Sequence, residues 1–195
     1  MEEATEGELQ SILRQIIQVL ENVLGRTSRW NGKASLEDGL FFAGAARYDG
    51  SIAISEPVFA DIDLRWRTLI HEALHTFSPR YTHMTYLGAI GWEEGVVEQM
   101  QRLLRPAVIA ALQVEVSGAV IDAVEEVHPY NKYIAVLEDI RLRLGEEQFR
   151  FYDTLLVTPL PDRATLIRQS GILLSGQNRQ EFGAALLKAV WALSR

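Results

Sequence analysis

Apolar residues recur every three or four positions through most of this 195-residue chain, which is the spacing of one face of an α-helix. The segment from Glu8 to Leu24 predicts an amphipathic helix, with Gly25 just past its end. Leu64 to Phe77 predicts a second helix, which Ser78-Pro79 ends. Helical spacing then dominates from Trp92 to the last residues of the chain.

The second half of the chain predicts a series of helices that proline and glycine punctuate. Pro106 is expected to open one of them, because proline is tolerated at the first helical position. Tyr81–Gly91 predicts a loop before the series begins. The predicted helices are Glu93–Arg105, Pro106–Val127, Tyr130–Leu144, Glu146–Val157, Asp162–Gln169 and Gln180–Leu193.

Strand patterns are short. Polar and apolar residues alternate over Ser51–Ser55, directly after a turn at Tyr48-Asp49-Gly50, and this predicts a strand. Leu40–Ala43 predicts another short strand inside a glycine-rich loop. We therefore expect an α+β fold that is mostly α with a small β-sheet. Residues 1–105 are expected to form the core, and residues 106–195 a helical subdomain packed on it, unless the two form one continuous domain.

The amino-acid composition limits which metal ligands and which partners are possible. The chain has no cysteine, so any metal must be held by His, Asp or Glu. A net charge of −7 argues against a nucleic-acid partner, because binding phosphates needs concentrated Lys and Arg. The sequence shows neither a secretory signal nor an apolar run of about 18 residues that could span a bilayer. We expect a cytoplasmic protein without a membrane partner.

One segment carries a chemical motif, H-E-x-x-H, at His71-Glu72-Ala73-Leu74-His75. Residues four apart lie on one face of a helix, so both imidazoles can reach one ion. Glu72 follows the first imidazole, and its carboxylate is placed to take a proton from the attacking water. The pattern therefore predicts a metal-dependent hydrolytic site with Glu72 as general base.

A catalytic zinc usually has three protein ligands, so a third ligand is needed. Eighteen residues separate His75 from Glu94, and Gly95 follows Glu94. Glu93 is the alternative, and the two side chains point about 100° apart on a helix. If Glu94 is the ligand, we expect Glu93 to face solvent or to line the substrate entrance. Zinc suits two imidazoles and one carboxylate, although manganese or cobalt would fit similar ligands.

H-E-x-x-H, eighteen residues and Glu-Gly together resemble the gluzincin metallopeptidases, a group that includes thermolysin-like enzymes and the large zinc aminopeptidases. The resemblance covers Leu64 to about Met100. It implies a zincin-like catalytic core with an active-site helix, followed here by a helical C-terminal half. It also implies that His71, His75 and Glu94 bind Zn²⁺ and that Glu72 is the catalytic carboxylate.

The resemblance extends to supporting residues. Glu98 lies one turn after the third ligand, where it would accept the remaining N–H of His71. Gluzincins often stabilise the oxyanion with a downstream Tyr or His, and Tyr130 or Tyr133 is the candidate here; packed aromatics at a helix start are the alternative. In zincins an edge strand pairs with extended substrate, which implies that role for the strand containing Ile52, Ala53 and Ile54.

We accordingly expect a small zinc endopeptidase that cleaves peptide or protein substrates. The G-x-M-E-N segment of the aminopeptidases has no counterpart, so exopeptidase action is unsupported. One alternative is a latent or non-catalytic zincin fold whose helical second half binds a regulatory protein or a second copy of the chain. Another is a structural zinc site with four protein ligands.

Overall fold

The computed structural model of the protein describes residues 5–38 and 43–194. Most of these residues are helical, and a small sheet accompanies the helices, which confirms the expected mostly α, α+β class. The ten α-helices of this part of the chain are α1 (Glu6–Leu24), α2 (Glu56–Ala60), α3 (Leu64–His75), α4 (His83–Leu87), α5 (Ile90–Leu112), α6 (Gly118–Glu126), α7 (Asn131–Leu144), α8 (Gln148–Val157), α9 (Arg163–Ser170) and α10 (Gly176–Leu193).

In the part of the chain that the structure describes, the sheet has three strands, β1 (Ala34–Glu37), β2 (Gly44–Ala46) and β3 (Ile52–Ser55), in the order β1-β3-β2. β3 pairs in parallel with β1 and antiparallel with β2. The turn at 48–50 returns the chain from β2 to β3, and Gly50 permits it through a φ of 89°. The strand predicted at Ser51–Ser55 is confirmed, whereas the one predicted at Leu40–Ala43 lies mostly outside the described residues.

The predicted position of that strand in the sheet is wrong. Ile52, Ala53 and Ile54 belong to β3, the central strand, and all three are fully buried. Neighbours on both sides occupy the hydrogen-bonding edges of β3, so it cannot add an extended substrate. The sequence pattern marks a strand but carries no information about how many neighbours it has.

The chain divides into two compact units. The first comprises Met1–Phe77 and Gln101–Glu126, within which α1 and α3 contact each other and α3 contacts β2 and β3. The second comprises Ser78–Met100 and Val127–Arg195, within which α10 contacts α7 and α9. The division predicted at residues 105 and 106 remains a prediction.

Local chemistry explains where the best-predicted helices begin and end. The Thr5 hydroxyl accepts from the Glu8 amide at 3.1 Å and caps α1, and Gly25 ends it with a φ of 65°. Gly145 ends α7 in the same left-handed conformation. The buried stripe of α1 faces the core of its unit and consists of Leu9, Leu13, Ile16, Ile17 and Leu20.

Two predictions, one of a helix start and one of a loop, are wrong. α5 continues through Pro106 instead of restarting there, and the chain leaves it after Leu112. An internal proline costs roughly 3 kcal/mol, but Leu104 and Val108 are both buried one turn apart, and a continuous helix keeps them in register. The predicted loop at Tyr81–Gly91 contains α4, which the Thr82 side chain caps.

None of the helices within the described ranges combines the length and apolar character needed to cross a lipid bilayer.

Candidate metal centre

Helix α3 carries the H-E-x-x-H motif and is buried over nearly its whole length. His71, Glu72 and His75 are each 6% exposed. The four-residue spacing brings the two imidazoles together as predicted, with 3.2 Å between their Nε2 atoms. Two atoms held about 2.0–2.1 Å from a tetrahedral zinc ion lie about 3.3 Å apart, so this separation fits one shared ion. The same separation also fits a hydrogen bond between two neutral rings in different tautomers.

The third predicted ligand joins this pair. Glu94 lies in the first turns of α5 and is 3% exposed. His71, His75 and Glu94 each offer one ligand atom, and these atoms all lie within 4.8 Å of one another. We call these three residues the metal-ligand group. Two imidazoles and one carboxylate are a ligand set that can bind zinc, so the residues present fit a metal ion.

Glu94 is held by a tyrosine that the sequence motif does not include. The Tyr86 hydroxyl, on α4, donates a short hydrogen bond to Oε1 of Glu94. Burial, together with the charge of Glu94, raises the pKa of Tyr86 above its ordinary value. Tyr86 therefore stays protonated and remains a hydrogen-bond donor across the ordinary pH range. A donor of this kind orients a carboxylate before it binds a metal.

Glu93, the alternative ligand, has a different environment. It is 0% exposed, so the expectation that it faces solvent or lines a substrate entrance is wrong. Oε2 of Glu93 lies 2.7 Å from Nη2 of Arg163, which is also 0% exposed. The remaining donors of Arg163 reach the carbonyl oxygens of Trp92 at 2.6 Å and Thr158 at 3.2 Å. Glu93 is therefore one half of a buried ion pair.

Two hydroxyl groups also contact Glu93. Ser78 Oγ donates to Oε2 of Glu93 at 3.1 Å and accepts from Arg163 at 2.9 Å. The Tyr81 hydroxyl donates to Oε1 of Glu93 at 3.3 Å, and its ring stacks on that of Tyr86 with centroids 5.8 Å apart. We call Ser78, Tyr81, Glu93 and Arg163 the Arg163 cluster. Stacked side by side, Tyr81 and Tyr86 thus each donate to one of two consecutive carboxylates.

Glu72 contacts the sheet. Its Oε2 accepts from the backbone N–H of Ala46 in β2 at 2.7 Å. Gly44, two residues earlier in β2, lies so close that an added Cβ would be 2.8 Å from Cγ of Glu72. Gly44 is a sequence feature that could have indicated this contact, because a glycine in a strand often marks a site where another group approaches the backbone closely. β2 itself is only three residues long, too short for its pattern to show.

Gly95 has a packing role. A Cβ at this position would lie 2.9 Å from Cβ of Tyr133 and 3.0 Å from Cδ1 of Leu137, both on α7. A Cβ on Gly91, one turn earlier, would lie 2.7 Å from Cδ1 of Tyr133. Small residues at these two positions let α5 and α7 approach closely. The glycine after Glu94 in the motif therefore reflects helix packing in this chain.

The other supporting residues are buried or half-buried in the second unit. Tyr133 is 6% exposed, and its ring stacks on that of the half-buried Tyr130 with centroids 5.9 Å apart. Glu98 is 0% exposed, and its Oε1 lies 3.9 Å from Nδ1 of His128. An oxyanion role for either tyrosine, and the pairing of Glu98 with His71, stay predictions.

The chain was compared with protein-family models, with curated proteins and with solved structures, and none of the three comparisons gave a match. Any function of this chain must therefore be inferred from the motif and from the geometry of the described residues.

Proposed function

We propose that this protein is a zinc-dependent peptidase in which His71, His75 and Glu94 bind the metal and Glu72 is the general base. The observation that supports the proposal is that the ligand atoms of three buried residues lie within 4.8 Å of one another, and that Glu72, the residue after His71 in the motif, is also buried. The resemblance of this motif to the gluzincin metallopeptidases supports the choice of reaction.

The chemistry divides between the metal and the chain. Bound zinc would act as a Lewis acid that polarises the scissile carbonyl and makes water a better nucleophile at neutral pH. Glu72 would take the proton from the attacking water and pass it to the leaving amine, which needs a carboxylate within hydrogen-bond reach of both. The backbone of Ala46 holds that carboxylate at 2.7 Å, so the general base is restrained before substrate arrives.

The predicted role of β3 as the substrate-binding strand does not transfer to this sheet. Within the described residues, β1 and β2 are the outer strands, so an extended peptide could pair only with one of them. The outward N–H of Ala46 in β2 already bonds Glu72, so we do not assign the substrate to β2. A peptide or protein in extended conformation remains the proposed substrate.

The test is the substitution Glu72→Gln, assayed with a denatured, dye-labelled protein as substrate. The amide is close to isosteric but cannot accept the proton, and general acid–base catalysis contributes about 10²–10⁴-fold. We expect hydrolysis to fall by that factor while zinc content is unchanged, because Glu72 is outside the metal-ligand group. Glu56→Gln, an exposed glutamate of α2, is the matched control and should retain wild-type activity.

Two outcomes would contradict the proposal. A Glu72→Gln variant with wild-type activity would remove Glu72 from the mechanism. Wild-type protein that binds zinc but cleaves nothing would favour the latent or partner-binding alternative over the peptidase.

A further inference from the structure

Strand β2 contacts Glu72 through two neighbouring positions of its backbone. The N–H of Ala46 donates to Oε2 of Glu72, and the missing side chain of Gly44 leaves room for Cγ of Glu72. We propose that β2 fixes the conformation of the Glu72 carboxylate, so that Gly44 and Ala46 are positioning residues for the general base. This inference rests on the proposed function for its catalytic consequence, but the contact itself can be tested separately.

The hydrogen-bond pattern of the sheet explains why the Ala46 amide is available. Ala43 accepts from the Ser55 amide at 3.0 Å, and the Arg47 amide donates to Ser51 at 2.8 Å. Residues of an antiparallel strand alternate between facing the partner strand and facing away. Gly44 and Ala46 therefore direct their backbone groups away from β3, and the outward N–H of Ala46 meets a carboxylate. Bonds from an N–H to an ionised carboxylate are stronger than those between neutral groups.

The space at Gly44 is bounded on two sides. A Cβ at this position would lie 2.8 Å from Cγ and 3.1 Å from Oε1 of Glu72, and 2.9 Å from Cδ1 of Ile54. Ile54 is fully buried in the central strand and has little freedom to move. An added methyl group would therefore displace Glu72 or spread β2 from α3. Either change lengthens the bond between Glu72 and Ala46.

We expect displacement of Glu72 to slow the proton transfer and to leave metal binding unchanged. A displacement of about 1 Å in a catalytic group can cost about 10²-fold in rate. Neither Gly44 nor Ala46 belongs to the metal-ligand group. We therefore expect Gly44→Ala to lower kcat by at least about tenfold, with KM changed by less than about twofold and zinc content unchanged. Gly118→Ala is the matched control, because nothing lies within 4 Å of a Cβ there.

A second variant removes the donor and places the Cδ atom of a proline ring where the amide hydrogen pointed, so Glu72 must also move away from residue 46. Ala46→Pro deletes the N–H, and proline is tolerated on an outer strand where that N–H does not bond the neighbouring strand. We expect a kcat loss at constant zinc content, as for Gly44→Ala. Wild-type kcat in either folded variant would overturn the proposal.

The contact is tested independently of activity by a double-mutant cycle on metal-free protein. Thermal midpoints are compared for wild type, Gly44→Ala, Glu72→Ala and the double variant. We expect Gly44→Ala to lower the midpoint in the Glu72 background and to lower it much less when residue 72 is Ala, since Cγ and the carboxylate are then gone. Equal shifts in both backgrounds, with relief by Ile54→Val instead, would assign the crowding to Ile54 and overturn the proposal.

The two tests also separate this inference from the proposed function. If the wild-type protein hydrolyses no substrate, the proposed peptidase function fails, and the cycle still decides whether β2 holds Glu72. If hydrolysis is present but the cycle shows no coupling, the peptidase stands and the positioning role of β2 fails.

Discussion

Among the described residues, the Arg163 cluster and the metal-ligand group are both built from buried polar side chains, and they differ in how charge is balanced. In the Arg163 cluster, a fully buried carboxylate meets a fully buried guanidinium at 2.7 Å, and hydroxyl and carbonyl groups take up the other donors. In the metal-ligand group, two imidazole nitrogens and a carboxylate oxygen lie within 4.8 Å of one another. The first group combines an acid with a base, whereas the second collects the atoms that a cation binds.

The contrast is sharpest between two consecutive residues of α5. Glu93 and Glu94 are both buried, and each accepts from a tyrosine hydroxyl of the stacked pair Tyr81 and Tyr86. A buried charge is costly unless an opposite charge compensates it. Arg163 compensates the charge of Glu93, and the metal ion that we propose would supply positive charge beside Glu94. Burial alone therefore does not separate a structural carboxylate from a ligand; the partner atoms do.

The largest effect is expected at the Arg163 cluster. Arg163→Met keeps much of the side-chain volume but leaves Glu93 buried without its cation, and breaking one partner of a buried pair costs about 3–5 kcal/mol. We expect the free energy of unfolding, measured by urea denaturation, to fall by that amount. Arg143→Met is the matched control, because Arg143 forms an exposed pair with Asp139. A variant as stable as the wild type would show that Arg163 does not carry the stability we assign to it.

A smaller effect should distinguish the two tyrosines. Tyr86→Phe removes the donor to the proposed ligand Glu94, and loss of such a partner typically costs about 10–100-fold in metal affinity. Tyr81→Phe removes the equivalent bond to Glu93 and should leave zinc affinity unchanged while lowering stability by about 1 kcal/mol. Competition with a chromogenic chelator measures both affinities. Equal zinc affinities for the two variants would remove the distinction between Glu93 and Glu94.

The sequence predicted the α3 side of the candidate centre well, because everything there depends on local helical spacing. A four-residue separation on one helix fixes the relative positions of His71 and His75 once the helix forms. The same is true of α1, whose stripe and caps are local. The choice of Glu94 over Glu93 came from the resemblance and from Gly95, and the ligand-atom distances agree with it.

The partners of these residues could not be predicted, because they come from distant parts of the sequence. Arg163 lies 71 residues beyond Trp92, whose carbonyl it binds, and Ala46 lies 26 residues before Glu72. No local pattern encodes either contact. β3 shows the same limit, since alternation marks a strand but does not reveal whether it is central or at an edge. Pro106 shows that a strong local signal can be overridden by a buried stripe that continues past it.

The metal content of the protein tests most directly whether His71, His75 and Glu94 bind one zinc ion. Protein dialysed against micromolar zinc and then against buffer is analysed by inductively coupled plasma mass spectrometry. We predict about one zinc ion per chain for the wild type and for His83→Ala, an exposed histidine outside the group. Retained zinc should fall sharply in folded His71→Ala, His75→Ala and Glu94→Ala. Wild-type protein without zinc, or all three variants retaining it, would contradict the claim.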